Sequence, residues 1–400
     1  MRLKNIPRKW WKYILIAFHA LLLTYLCYVA GNIAYSLGSE VHTVKWLNAF
    51  SNWLFDNQEK LPDELLPISV SYDKQLVDVS DQNGMPLGVV DITDRTKLYK
   101  LLSDIDSVGN YKYVVCDINF STEYKTETDS ALYALISRMP RIVVAGGEHL
   151  DKLPEPIRSR AFSAGYNVTI DESNFVKYPL INEGRESMAL HMWKELYDGE
   201  FGGSSYWSSS NGRLCRRAMF LQFPIQISDD YAQYQAKPVL NMGADILDVE
   251  SILDLQSMFC DKIILIGSFV EDDIHPTVVG DMPGVMINYN AFYALRDGQH
   301  YVNPFSVILL FVLFYLVTLV IFGSKSIFEW LPEKVRPKSI VVRLLCSLLS
   351  LSTLFTVVFL FFYIVFGETY DIFFIVSYFS LISVAKDLYM NHKNLRSAKK

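Results

Sequence analysis

Three basic blocks, holding 15 of the chain's 37 Lys and Arg residues, each abut apolar sequence of membrane-crossing character. Residues 1–12 carry Arg2, Lys4, Arg8, Lys9 and Lys12 without an acid, ahead of an apolar run over 13–37. A second run, 305–323, precedes the segment 324–343 with Lys325, Lys334, Arg336, Lys338 and Arg343. Third and fourth runs, 344–366 and 372–385, are joined by the turn Gly367–Asp371. They are followed by Lys386, Lys393, Arg396, Lys399 and Lys400 within 386–400. Arginine and lysine stay on the cytoplasmic side of short loops. All three blocks are therefore expected inside, with 38–304 outside. That pattern predicts a multi-pass protein of the inner (cytoplasmic) membrane, its main domain on the periplasmic or extracellular side.

The charge balance of 38–304 agrees: 22 Lys and Arg against 38 Asp and Glu, a net of −16. An acidic face repels phosphates, so no nucleic-acid partner is expected. The basic blocks read as anchors on anionic membrane lipid. The first run exceeds the core of a cleavable signal peptide, and only Ala34-Tyr35-Ser36 follows it as a cleavage sequence, so it is read as retained. The fourth run holds about 14 clean apolar residues where ~20 cross unaided. A re-entrant fourth run would put the C-terminal lysines outside, and four spans are the expected count. No ionisable residue is expected at the centre of a span, which argues against an ion-coupled transporter. Five cysteines are too few for a disulfide scaffold; Cys215 and Cys260 are the pair that an oxidising envelope could join.

Within 38–304 the pattern alternates strands and helices. Val44, Trp46, Leu47, Phe50, Trp53 and Leu54 recur at helical spacing, predicting a juxtamembrane helix. Strands are expected over 68–72, 76–80 and 87–92, the last two about an Asn83-Gly84 turn. Asp94 caps a helix with Leu98, Leu101, Leu102 and Ile105 inward. The apolar strand 113–118, a helix over 129–139 and a strand over 141–145 make a βαβ unit, hence a parallel sheet. Further on, 161–170 reads as extended, 187–196 as a helix, and 198–213, rich in Gly and Ser, as an exposed insertion. Strands at 218–223 and 262–268, a short helix at 252–258 and a last helix at 285–295 complete the domain. The fold class expected is an α/β extracytoplasmic domain with a mostly parallel sheet, plus about four transmembrane helices.

No phosphate loop, dinucleotide fingerprint, zinc-protease helix or nucleophile elbow occurs. What remains are polar residues at strand ends: Asp117 and Asn119 after one strand, Asp129 at the next helix. Glu271, Asp272, Asp273, His275 and Thr277 follow another. In an open α/β sheet such carboxyl ends line the ligand crevice. The same residues serve equally as helix caps and partners of backbone donors. Asp272, Asp273 and His275 also have the chemistry of a divalent-ion site, but without a distant partner residue.

With these blocks in view, 65–304 resembles the type-2 CHASE domain, an extracytoplasmic sensory module of bacterial membrane receptors. Three stretches carry the resemblance: 113–120 with 129–132 and 142–145; 161–168 with Asp171, Pro179-Leu180 and Ala189-Leu190; and 262–268 with Asp273, Thr277, Pro283-Gly284-Val285, Asn288 and Asn290. Where the family has a D-G-V-x-R-like stretch, this chain reads Glu172-Ser173-Asn174-Phe175-Val176-Lys177, and Lys177 keeps the charge. Family members commonly continue into a cytoplasmic cyclase or kinase; here only 386–400 follow the last run.

The resemblance implies a membrane-anchored sensor or binding subunit that is not an enzyme and needs no cofactor. It would relay its state to a separate cytoplasmic or membrane signalling protein, with homodimerisation as in similar receptors. Its ligand would be a small molecule or envelope protein, taken by residues among Asp117, Asn119, Asp129, Lys177, Ser268, Asp272, Asp273, His275 and Thr277. The alternatives are a structural subunit of a membrane complex and, less favoured, an envelope enzyme with Asp117, Asp273 or His275 as acid and base.

Overall fold

The computed structural model describes residues 8–33, 38–54, 60–80, 85–121, 124–146, 152–163, 175–182, 184–227, 239–249, 251–270, 273–323 and 339–397. Its central sheet is built from strands whose side chains are apolar on both faces. These are β1 (Leu65–Ser69), β2 (Tyr113–Asp117), β3 (Ile142–Ala145), β4 (Ala161–Phe162), β5 (Leu240–Asn241) and β6 (Ile263–Gly267). They lie in the spatial order β5-β1-β6-β2-β3-β4, and every neighbouring pair is parallel. The helices, in chain order, are α1 (Arg8–Gly31), α2 (Gly38–Leu54), α3 (Arg95–Val108), α4 (Asp129–Arg138) and α5 (Met188–Tyr197). Then follow α6 (Ile252–Phe259), α7 (Gly284–Arg296), α8 (Pro304–Ile321), α9 (Ile340–Phe366) and α10 (Ile372–Ser397).

Alternation along the strands sorts the core into two layers. Tyr113 and Val115 of β2, with Ile263 and Leu265 of β6, face α5 and α7. Val114 and Cys116, with Ile264 and Ile266, face α3, α4 and α6. Each fully buried aliphatic side chain contributes roughly 1.5–3 kcal/mol, so β2 and β6 are where a single substitution harms the domain most. Helix α3 begins as its sequence dictates: Asp94 accepts from the backbone N–H groups of Thr96 and Lys97. Helix α5 begins at Ser187, whose hydroxyl accepts from the Leu190 N–H. The hairpin Lys74–Ser80 with Pro86–Thr93 is antiparallel, while its expected turn at Asn83-Gly84 lies outside the described residues.

Four helices are long and apolar enough to cross a membrane, over Trp10–Gly31, Pro304–Ile321, Leu344–Phe366 and Ile372–Met390. They pack about an aromatic core that includes Phe314, Phe355, Phe359 and Phe379. The fourth reaches its length by carrying polar residues at its far end: Lys386 donates to the Ile321 and Gly323 carbonyls closing α8. A cation at that C-terminus is favoured by the helix dipole. The expectation of no ionisable group within a span is corrected by His19 of α1. Its Nδ1 lies 3.0 Å from the Thr318 hydroxyl and its Nε2 2.6 Å from Tyr378. Those two partners, from α8 and α10, satisfy a ring that sequence spacing alone leaves unpaired.

The domain is fastened to these helices at several points. Helix α2 buries Val44 against Val176 and Phe220, and its Asn48 accepts from the Tyr363 hydroxyl of α9. The stretch 198–213 is not a loose insertion. Phe201–Ser204, Trp207–Ser210 and Arg213–Cys215 form an antiparallel three-stranded sheet seated on the end of α1. Tyr28 donates to the Cys215 carbonyl and accepts from the Ser208 N–H, and Asn32 bonds the Ser205 carbonyl and the Arg217 N–H. Gly and Ser mark a loop in composition, yet here Gly203, at φ 107°, lets the strands approach too closely for any Cβ. Cys215 and Cys260 are both free thiols.

Beside this sheet, Arg216 and Glu368 form an ion pair at 3.1 Å with both side chains 6% exposed. Glu368 belongs to the α9–α10 turn and also accepts from Ser306 of α8 and from Tyr370. Burial alone would lower the proton affinity of Arg216; Glu368 and Tyr370 more than reverse that. Arg216 of the domain thus pairs with the α9–α10 turn, whose Glu368 is held in turn to α8 through Ser306.

Candidate functional site

The carboxyl ends of β2 and β6 sit side by side, with Asp117 paired in register to Gly267. Helix α7 starts directly over this edge. Its first residue, Gly284, comes so close to Asp273 that an added Cβ would lie 2.4 Å from Oδ2. The Asp273 carboxylate therefore rests on the N-terminus of α7, where the helix dipole favours negative charge. Asp273 is itself held 2.8 Å from His275 Nε2, and the His275 ring packs edge-on to Phe175 at 4.9 Å.

Asp117 completes the group from the sheet side. Its Oδ2 accepts from Asn288 Nδ2 at 3.0 Å, and Asn288 Oδ1 accepts from the Tyr178 hydroxyl at 2.6 Å. Asn288 Nδ2 also reaches the Gly284 carbonyl one turn back. Burial, reinforced by the negative charge of Asp273, raises the Asp117 carboxyl to about 7, against the opposing effects of Asn288 and His275. Together Asp117, Phe175, Asp273, His275, Gly284, Ile287 and Asn288 enclose a cavity of ≈ 10 Å³. That is about the room that one water or a single small ion needs. Chemically, the site can gain or lose a proton.

The other sequence candidates lie elsewhere. Asn119 is exposed, and it is its backbone carbonyl that accepts from Arg95. Asp129 is buried at the start of α4, accepting from the Thr126 N–H and hydroxyl and facing Arg95 at 4.0 Å. Ser268 donates to the Val270 carbonyl and meets the Ser71 hydroxyl, closing the loop after β6. Thr277 closes the turn to Gly280 with a 2.6 Å bond. Lys177 is almost wholly buried, its ammonium 5.0 Å above the Phe220 ring, toward the membrane helices rather than toward Asp117. Asp272 lies outside the described residues. Among the described residues no group of three or more His, Cys, Asp and Glu could hold a metal ion.

Two site residues, Asn288 and Tyr178, were not among the sequence candidates. Asn288 had a signal: with Asn290 it is a polar interruption in the apolar helix α7, and a buried amide needs partners. Asn290 spends its amide on the Ile225 backbone, so only Asn288 reaches the carboxylate. Tyr178 had none, because its bond joins residues far apart in the chain.

Comparison with known families gives one match. The CHASE2 domain pattern covers residues 30–323, which takes in the α/β domain, the end of α1 and the whole of α8. No curated protein and no solved structure matches.

Proposed function

The chain belongs to the CHASE2 domain family, a family of extracytoplasmic sensory domains, and from that premise we propose a membrane-anchored sensor that relays its state to separate partner proteins. The observation that carries this reading is the position of the acidic site on α7. Gly284 and Asn288 lie in the first turns of that helix, and only 297–303 separate its end from the membrane helix α8. A change of charge at Asp117 therefore acts on the element that leads straight into the bilayer. The stimulus that fits the cavity is a proton or an ion of about one water's size, since a metabolite has no room there.

In this reading 38–304 lies on the periplasmic or extracellular side of the inner membrane, and the basic segments 324–343 and 386–400 meet the partner or anionic lipid. The positive-inside distribution of Lys and Arg supports that sidedness. Reporter fusions after Gly212 and after Lys400 test it. An envelope-active reporter at the first and a cytosol-active one at the second are expected; a cytosolic signal after Gly212 would refute the topology. For the stimulus, full-length protein in nanodiscs is titrated with protons and with Na⁺, K⁺, Mg²⁺ and Ca²⁺ while its melting temperature is followed. A response in the wild type that Asp117→Asn removes is expected. Identical curves for the two proteins would refute the assignment of the site.

A further inference from the structure

The Gly- and Ser-rich stretch 198–213 carries two large aromatic residues that stay outside every core of the domain. Tyr206 and Trp207 are 66% and 63% exposed, at the turn joining Phe201–Ser204 to Trp207–Ser210. This turn is the end of the three-stranded sheet nearest the membrane helices. The third strand, Arg213–Cys215, finishes at the same end, where Cys215 pairs with Ser208. It leads straight into Arg216, whose partner Glu368 lies in the α9–α10 turn.

Bonds to α1 set the height of the turn. Asn32 donates to the Ser205 carbonyl at 3.0 Å, and Tyr28 accepts from the Ser208 N–H at 3.0 Å. Tyr25 donates to the Tyr206 carbonyl at 3.4 Å. The apolar span of α1 ends at Gly31, and the Tyr25 backbone stands about 9 Å short of that end along the helix axis. The turn therefore lies beside the last turns of a span. Leu21 and Leu22, one turn further along the same face of α1, are exposed, so the surface beneath the turn is one that meets lipid.

The backbone of the turn is finished as contact with lipid requires. The successive carbonyls of Gly203, Ser204, Ser205 and Tyr206 each accept from a side chain, namely Arg217 Nη1, Ser208 Oγ, Asn32 Nδ2 and Tyr25 Oη. Water satisfies the carbonyls of a turn that stands in solvent, whereas in apolar surroundings each must find its partner within the protein. Tyr and Trp are also the side chains that favour the bilayer boundary, with the ring towards the acyl chains and the polar tip among the headgroups. We propose that the turn 204–207 enters the bilayer interface on the side of the domain, with Tyr206 and Trp207 as its anchors. Lipid then holds the domain beside the place where Arg216 pairs with the membrane helices. This assignment is independent of what the acidic site responds to.

Tryptophan emission of the full-length protein in phosphatidylcholine nanodiscs tests this, with the spectrum of Trp207→Phe subtracted from that of the wild type so that Trp207 alone is read. Phosphatidylcholine brominated near the glycerol end of its acyl chains is expected to quench most of that emission, and lipid brominated near the chain ends to quench less. Tyr206→Trp in the Trp207→Phe background is expected to give back an emission quenched in the same order, which keeps the test decisive should the signal of Trp207 itself be weak. Emission at both positions that iodide in the buffer removes and bromine leaves intact would overturn the proposal, placing the turn in water. Emission that neither quencher reaches would overturn it too, and would assign the turn to a protein surface such as a second copy of this chain.

Discussion

The acidic site and the membrane seam both bury charge, and they do so in opposite ways. At the seam Arg216 and Glu368 neutralise each other, with Ser306 and Tyr370 completing the carboxylate's hydrogen bonds. In the acidic site two carboxylates share one small cavity, and Asp117 receives an amide rather than a cation. The first arrangement has one stable charge state and holds the domain on its helices. The second holds the Asp117 proton more tightly than an ordinary carboxyl, because burial, and then the negative charge of Asp273, disfavours its ionised form. Tyr178, the donor to Asn288 in the titratable centre, lies on the strand Lys177–Pro179, which pairs with Ala218–Phe220 just beyond Arg216.

The sharpest way to break this contrast is at the seam. Arg216→Ala leaves Glu368 buried without its partner and is expected to cost about 3–5 kcal/mol, seen as a large drop in thermal midpoint in nanodiscs. The double variant Arg216→Met with Glu368→Leu is expected to recover most of that loss. If the single variant melts like wild type, the pair does not fasten the domain.

Next in size is Gly284→Ala. The new methyl group collides with Asp273, and overpacking at such a contact costs about 1–3 kcal/mol. The loss is expected to be accompanied by a weaker pH response, since Asp273 is displaced from Asp117. A stable variant with the full pH response would show that the close approach is incidental.

The pH dependence separates two buried groups by sign. Asp117 binds its proton more tightly in the folded chain, so its contribution to stability is greatest in acid and is lost as pH rises from about 4 towards about 7. His300, buried against Trp193 and lowered to about 4 by desolvation and by Arg213, acts the other way. Its contribution is present above the ordinary histidine value and is lost as pH falls towards about 4. Asp117→Asn is expected to remove the falling part of the stability–pH profile and His300→Gln the rising part. Profiles unchanged by either substitution would contradict the assignment.

The smallest effect is expected at Arg296, whose pair with Glu64 is a quarter exposed on each side. Arg296→Ala is expected to cost less than about 1 kcal/mol. A loss as large as that of Arg216→Ala would erase the distinction drawn between solvated and buried pairs.

Much of the fold is legible in local sequence because its causes are local. The apolar runs of β2 and β6, the Asp94 and Ser187 caps, and the inward stripes of α3 and α4 each need only neighbouring residues. The site was half legible on the same grounds. Asp117 and Asp273 follow strands and so fall at the sheet's carboxyl edge, whereas Asn288 and Tyr178 become partners only through tertiary packing. The same limit explains the 198–213 sheet, whose Ser208 and Ser210 are buried with bonds to Tyr28 and His300 from distant segments. It explains His19 too, which gains its partners from α8 and α10.

The central claim is that the protonation state of Asp117 is felt along α7 and into the start of α8. Hydrogen exchange of the full-length protein in nanodiscs at pH 5 and pH 8, corrected for intrinsic exchange, reads it directly over residues 284–306. The account predicts that protection there falls at the higher pH in the wild type and stays constant in Asp117→Asn. Equal changes in both proteins, or none in the wild type, would contradict it.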